Sequence, residues 1–270
     1  PGVRTSPQHP FAEELTEEIN FRATVRLAIL AKRCGVRRFV YSSSQSMYGI
    51  SATDAELDED TSEKNPITAY ARTKWKAECD LKKLADDSFT VVCLRPSTVF
   101  GRSPALRSDI VYNNLLASAY TTGKIEIKSD GTPWRPVIHV KDVSRAFITA
   151  LEAPSKMVNG EAFNVGAGNF MVRELAETAQ KLVSGSTLAF TGEHGKDSRT
   201  YCVSFEKIRR VLGFMPEWDL ERGGRDLLDF FREVGFSAED FRGRRTVRLA
   251  QIKHLIESGR ITSDLVWKEK

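Results

Sequence analysis

The sequence predicts an α/β protein built on a doubly wound parallel sheet, and two observations carry that expectation. Short apolar runs rich in β-branched and aromatic residues, at 39–41 and 89–94, each follow an amphipathic helical stretch after a connection of a few residues. Helix, strand, loop, helix, strand in that order is the rhythm of crossover units feeding a parallel sheet. A composition of 41% hydrophobic and 28% charged residues over 270 positions belongs to a globular chain and not to a disordered one.

The elements follow in order. "AEELTEEINFRATVRLAILAKRCG" carries Leu15, Ile19, Val25, Ala28 and Ile29 at helical spacing, with Gly35 where a C-terminal cap belongs. "VRRFVYSSS" reads as a short buried strand, Phe39 to Tyr41, ending in serines, and an acidic loop closes at Pro66. "ITAYARTKWKAECDLKKLADD" has helical periodicity through Tyr70, Lys74, Ala77, Leu81 and Leu84, and "FTVVCLRPSTVFG" reads as a second buried strand. Beyond it come a helix from about 110 to 121, a strand, a turn at Asp130–Gly131, and another strand and helix. "EAFNVGAGN" predicts a strand and glycine turn, "MVRELAETAQKLV" a helix, and the stretch from Ser198 a short strand and two helices. From Ser237 the chain turns basic and helical. The expected division is therefore 1–100, 101–236 with a strand near 161–165 returning to the first sheet, and a basic extension over 237–270.

Composition excludes several classes of function. No apolar run approaches the roughly 18 residues a membrane helix needs. Cys34, Cys79, Cys93 and Cys202 lack metal-ligand spacing and read as free thiols of a reducing cytoplasm, so no metal is expected. A net charge of +4 suits anionic small molecules and is too slight for nucleic acid. The basic residues Arg242, Arg244, Arg245, Arg248 and Lys253 read as a solvated helix face.

Two stretches carry chemistry. In "YARTKWKAE" Tyr70 stands four residues before Lys74, so both share a helix face, with Glu78 four further on. A phenol is a poor base at neutral pH, near 10 by ordinary reference; an ammonium beside it favours the phenolate and makes an acid/base for an alcohol. "YSSSQSMYG" puts hydroxyl donors at a strand end, where active-site groups of parallel sheets collect.

Taken together, "EEINFRATVRLAILAKRCGVRRFVYSSSQSMYG", "NPITAYARTK", "LRPSTVFG", "GTPWRPVIHVKDV", "EAFNVGAG" and "VSFEKIRRVLGFMPEW" resemble the extended short-chain dehydrogenase/reductases, specifically the NAD-dependent nucleotide-sugar epimerases and dehydratases, over about residues 13 to 235. The resemblance implies a Rossmann-like parallel sheet with a smaller mixed α/β substrate lobe. It makes Ser44 the catalytic hydroxyl, Tyr70 the acid/base, Lys74 its partner on the nicotinamide ribose, and Asn20 a supporting residue. It puts Ser42, Ser43 and Pro96 beside the cofactor, Thr98 at the sugar, Arg135 and Arg199 on the nucleotide diphosphate, and Asn113 or Asn114 near the phosphates. It also implies NAD, with NADP open, and a homodimer through helices near 13–34 and 66–86.

Departures narrow the reading. The 4,6-dehydratases place an Asp-Glu pair after the catalytic hydroxyl, where this chain has Gln45 and Ser46. That disfavours elimination and points to epimerisation, at C4, through a transient 4-keto sugar; a 4-ketoreductase or a catalytically incompetent nucleotide-sugar-binding fragment are the alternatives. Thr98 replaces an asparagine common in 4-epimerases, and Pro136 an aspartate. The eighteen glycines form no Gly-x-Gly-x-x-Gly or Gly-x-x-Gly-x-x-Gly turn, so the first βαβαβ half of the family fold is expected to be absent.

Overall fold

In the computed structural model, residues 10–49, 55–192 and 200–268 are described, and they form two compact units drawn from interleaved stretches. The first unit holds 1–97, 142–168 and 201–216, and the second 98–141, 169–200 and 217–270. The second unit thus begins at Thr98 and takes in the basic C-terminal stretch.

In the first unit, helix α1 (Pro10–Glu17) runs through a π-helical turn (Glu18–Arg22) into α2 (Ala23–Arg33). One helix was expected here; the extra residue of the wide turn interrupts the regular stripe and leaves Asn20 buried. Gly35, at φ +76°, closes the helix as anticipated. Strand β1 (Arg38–Ser42), a 3₁₀ turn (Gln45–Tyr48) and helix α3 (Ala69–Lys83) follow. The Thr68 hydroxyl caps α3 by accepting from Ala71 N–H at 3.1 Å.

The stretch read as one second strand is two. Strand β2 (Thr90–Pro96) stays in the first sheet, while β3 (Thr98–Phe100) joins another. The break falls at Ser97, whose N–H and hydroxyl both donate to Val165 O, at 2.8 and 3.0 Å.

The second unit contains α4 (Val111–Thr122), β4 (Lys124–Ile127) and β5 (Trp134–His139). Helix α5 (Val140–Glu152) and the short α6 (Ser155–Val158) then lead the chain to β6 (Glu161–Val165) in the first unit. After β7 (Gly168–Met171) come α7 (Val172–Leu182), β8 (Thr187–Phe190), α8 (Glu206–Leu212), α9 (Leu220–Glu233), α10 (Ala238–Arg242) and α11 (Arg248–Glu257). The short strand expected after Ser198 is only an isolated bridge, Leu57 to Val203, whereas β8 was not anticipated.

The first sheet has the order β1-β2-β6, parallel throughout, with Tyr41 beside Cys93 and Leu94 beside Phe163. Alternate residues of β1 and β2 (Phe39, Tyr41; Val91, Cys93) pack with Phe89 against Ala28 of α2 and Ala77 and Leu81 of α3. That packing brings the C-terminal end of β1, with its serines, alongside the first turns of α3. The second unit has sheets β3-β5-β7 and β4-β8 around a separate core built on Phe100, Tyr112, Leu116, Leu175, Leu227 and Phe231.

Candidate active site

The serines leave β1 as a row of individually tethered residues. The buried Lys74 ammonium donates to Ser42 O at 2.8 Å. Ser43 Oγ donates to Glu78 Oε2 at 2.6 Å. Ser44 Oγ accepts from Ser46 N–H at 3.2 Å and lies 2.8 Å from Ser46 Oγ. Gln45 Nε2 donates to Arg95 O at 3.0 Å. Two of these four ties come from a single face of α3, because Lys74 and Glu78 are one helical repeat apart.

Lys74 Nζ lies 4.9 Å from the Tyr41 ring centroid and 5.9 Å from that of Tyr70. Burial pushes the amine down from 10.5 to about 8. Tyr70 itself is half-buried. Its carbonyl accepts from Thr73 Oγ1 at 3.0 Å, and Thr73 Oγ1 also accepts from Asn20 Nδ2 at 3.4 Å. Asn20 in the π turn therefore braces the α3 turn that carries Tyr70.

Beneath the serine row lies a polar network that the sequence reading missed. Arg95 and Glu78 are both almost fully buried and form a two-pronged ion pair, Nη2 to Oε1 at 2.5 Å and Nε to Oε2 at 3.1 Å. Arg95 Nη1 also donates to the Tyr48 hydroxyl at 2.9 Å, which in turn lies 3.0 Å from both Asn164 Oδ1 and Asp58 O. Glu59 Oε1 accepts from Asn164 N–H at 2.6 Å. Burial alone would raise the Glu78 carboxyl; the Arg95 guanidinium and the Ser43 hydroxyl outweigh it and hold the group below the usual carboxylate range. At Glu59 burial prevails and the carboxyl is raised. Two signals pointed to the ion pair: Glu78 continues the Tyr70–Lys74 stripe, and Arg95 interrupts an apolar strand, where a charge requires a partner. Tyr41 OH and Gln45 Oε1 are buried with no hydrogen-bond partner among the described residues.

Asn20, Ser42, Ser43, Ser44, Tyr70, Lys74 and Pro96 all belong to the first unit. Thr98, Asn113 and Arg135 belong to the second. The Asn113 amide is engaged locally, accepting from Gly101 N–H at 3.0 Å and donating to Arg107 O at 2.9 Å, so it pins the loop 101–107. Asn114 Nδ2 donates to Ser108 O at 3.1 Å. Arg135 is a half-buried residue whose guanidinium donates to Trp134 O at 2.9 Å. Arg199 lies outside the described residues. Among the described residues no cluster of metal-ligating side chains occurs, and no helix is long and apolar enough to cross a membrane.

The sequence profile of the NAD dependent epimerase/dehydratase family matches residues 4–166, more than half of the chain. The chain belongs to that family. It is 28% identical over 226 residues to dTDP-D-glucose 4,6-dehydratase from Mus musculus, covering 80% of this chain and 61% of the relative. It is 30% identical over 227 residues to UDP-glucose 4-epimerase from Bacillus subtilis (strain 168), covering 76% and 64%. Among solved structures, MoeE5 in complex with UDP-glucuronic acid and NAD superposes with a TM-score of 0.69 at 28% identity, covering 81% of this chain and 73% of that one. The chain thus spans less than two thirds of the length of these two curated relatives, at 61% and 64%.

Within the family, the turn after Ser44 is informative. It presents the buried amide of Gln45 and the hydroxyl of Ser46, neither of which ionises as a carboxylate would.

Proposed function

We propose that the chain carries the acid/base machinery of an NAD-dependent nucleotide-sugar epimerase acting at C4 through a transient 4-keto sugar. One observation carries the reading: the buried Lys74 ammonium holds the serine strand at Ser42 O, 2.8 Å away, while sitting 5.9 Å from the Tyr70 ring centroid. A cation is thereby fixed beside the Tyr70 ring and on the backbone of the strand that carries the serines.

The residues present fit the nicotinamide-ribose end of NAD. Ser42 and Pro96 end adjacent parallel strands at their carboxyl edge, with Ser43 next along the chain, where ligands of open α/β sheets bind, and Lys74 supplies a donor there. NAD bound there would supply the two-electron hydride acceptor, and in reduced form the donor, that oxidation and re-reduction of the sugar carbon require. Tyr70 takes the proton of the sugar hydroxyl and gives it back when the carbonyl is reduced. Ser44 holds that oxygen by donating a hydrogen bond. Lys74 keeps positive charge beside the phenol during the transfer. Arg135 is the candidate for the substrate diphosphate, a role suited to a guanidinium fork. The uncharged Gln45 and Ser46 support epimerisation over elimination, which needs a carboxylate acid/base pair at those positions.

A Tyr70→Phe variant should lose at least about 100-fold in a coupled epimerase assay with UDP-glucose, in line with loss of a general acid/base. Full activity in that variant would end the reading. Stoichiometric consumption of NAD(P)H by the wild-type chain would replace it with the 4-ketoreductase.

The exposed Ile19, Leu27, Leu30 and Ile67, between 41% and 59% accessible, support a homodimer through the helices near 13–34 and 66–86. Leu27→Glu with Leu30→Glu should convert the dimer to monomer in analytical ultracentrifugation; an unchanged mass would remove the proposal. The four free cysteines suit a reducing, cytoplasmic setting.

A further inference from the structure

Ser44 can serve a ketone oxygen only as a hydrogen-bond donor, and its surroundings decide whether its proton is available. A hydroxyl offers one donor and two acceptor positions. One acceptor position of Ser44 Oγ is taken by Ser46 N–H at 3.2 Å. Ser46 Oγ lies 2.8 Å away, and either oxygen of the pair can donate to the other. If Ser44 donates, its proton is spent on Ser46 and the sugar oxygen meets only a lone pair. If Ser46 donates, both acceptor positions of Ser44 are filled and its O–H is left for the substrate. A carbonyl cannot donate, so the 4-keto sugar selects the second arrangement. The chain from Ser46 to Ser44 to carbonyl then polarises in one direction.

We propose that Ser46 is a positioning residue that fixes Ser44 as a donor to the reacting sugar oxygen. The inference rests on the nucleotide-sugar reading above. Two features make it separable from a structural role. The cap on the 3₁₀ turn uses the backbone N–H of Ser46, so Ser46→Ala deletes the hydroxyl and keeps the cap. Ser46 is also half-buried, so its methylene carries little of the core.

The test is calorimetric binding of UDP-4-keto-6-deoxyglucose and of UDP-glucose to the wild type, Ser46→Ala, Ser46→Thr and Ser44→Ala, with turnover of UDP-glucose measured alongside. Ser46→Ala should weaken ketone binding about 3-fold, the worth of the lost polarisation and of the freed Ser44 rotor, and leave UDP-glucose binding unchanged. It should lower kcat by a similar factor with KM little changed, and Ser46→Thr should restore both. In a Ser44→Ala background the Ser46→Ala change should have no further effect. An unchanged ratio of ketone to alcohol affinity, additive losses in the double variant, or failure of threonine to rescue would each overturn the inference while leaving the wild type's reaction standing. A wild-type chain that bound neither nucleotide sugar would bring down the functional reading and this inference together.

Discussion

Replacing Arg95 by methionine should cost the first unit about 3–5 kcal/mol, the range for orphaning one member of a buried ion pair. The Glu78 side chain is 0% exposed and, among the described residues, would keep Ser43 at 2.6 Å and the partly exposed Lys82 at 3.7 Å. Tyr48 would lose the donor at 2.9 Å that its hydroxyl accepts. Replacing both partners, Arg95→Met with Glu78→Leu, removes the buried charge altogether and should cost roughly 2 kcal/mol less than the sum of the single changes. Urea unfolding read by the ¹⁹F signal of fluorinated Trp75 is the assay, because that ring lies 5.7 Å from the Arg95 guanidinium within the same unit. The pH dependence adds a second check. In the wild type the folded Glu78 value lies below the ordinary 4.5, so its contribution is present above that pH and fades as the pH falls through the folded value. Without Arg95, burial raises the folded value above 4.5, and stability then declines as the pH rises through it. The deficit of Arg95→Met should therefore be smaller at pH 5 than at pH 8. A cost below about 1 kcal/mol, or strict additivity in the double variant, would refute the reasoning.

Three further outcomes are expected. Burial holds Lys74 down at about 8 from 10.5, so the cost of keeping its ammonium is present below pH 8 and disappears as the pH climbs to 10.5. Lys74→Met should accordingly stabilise the fold by roughly 2 kcal/mol at pH 7 while abolishing turnover, with the gain gone near pH 10.5 in urea titrations. Tyr41→Phe removes a buried hydroxyl that has no partner among the described residues and should raise stability by about 1 kcal/mol, seen as a higher Tm. Gly101→Ala should destabilise the second unit by at least about 3 kcal/mol, since φ is +111° and a Cβ would stand 2.3 Å from His139 Nε2; fluorescence of Trp218, stacked on that histidine, reports it.

Helix–strand alternation was legible because apolar periodicity is a local property, and the Phe39 and Phe89 runs lie where β1 and β2 form. The break at Ser97 was not, because it depends on Val165, which is 68 residues away and captures both donors of that serine. Strand β8 escaped for a related reason: its half-exposed Thr187–Phe190 stretch becomes a strand through pairing with β4 and not through its own composition. At the site, the Tyr70–Lys74 pair and the serine row could be read from spacing, and Glu78 from the same stripe. The network behind Glu78 could not be assembled from spacing, because Arg95, Tyr48 and Asn164 arrive from three different elements. Asn20 was named from resemblance alone, and only the π turn shows how its amide reaches Thr73.

Helix α3 carries Tyr70, Lys74 and Glu78 on one stripe, so the residues proposed for chemistry and the residue that anchors the core share a reading frame. A single-codon insertion or deletion between positions 70 and 78 would turn one part of the stripe by about 100° relative to the other. The phenol or the carboxylate would leave its place, and Ser43 and Arg95 would lose their acceptor whenever it was the latter. Point substitutions can still drift at Arg72, Trp75 or Lys76 between these positions. Length cannot drift, and lineages descended from such a chain should vary in the identity of those intervening residues while keeping their number.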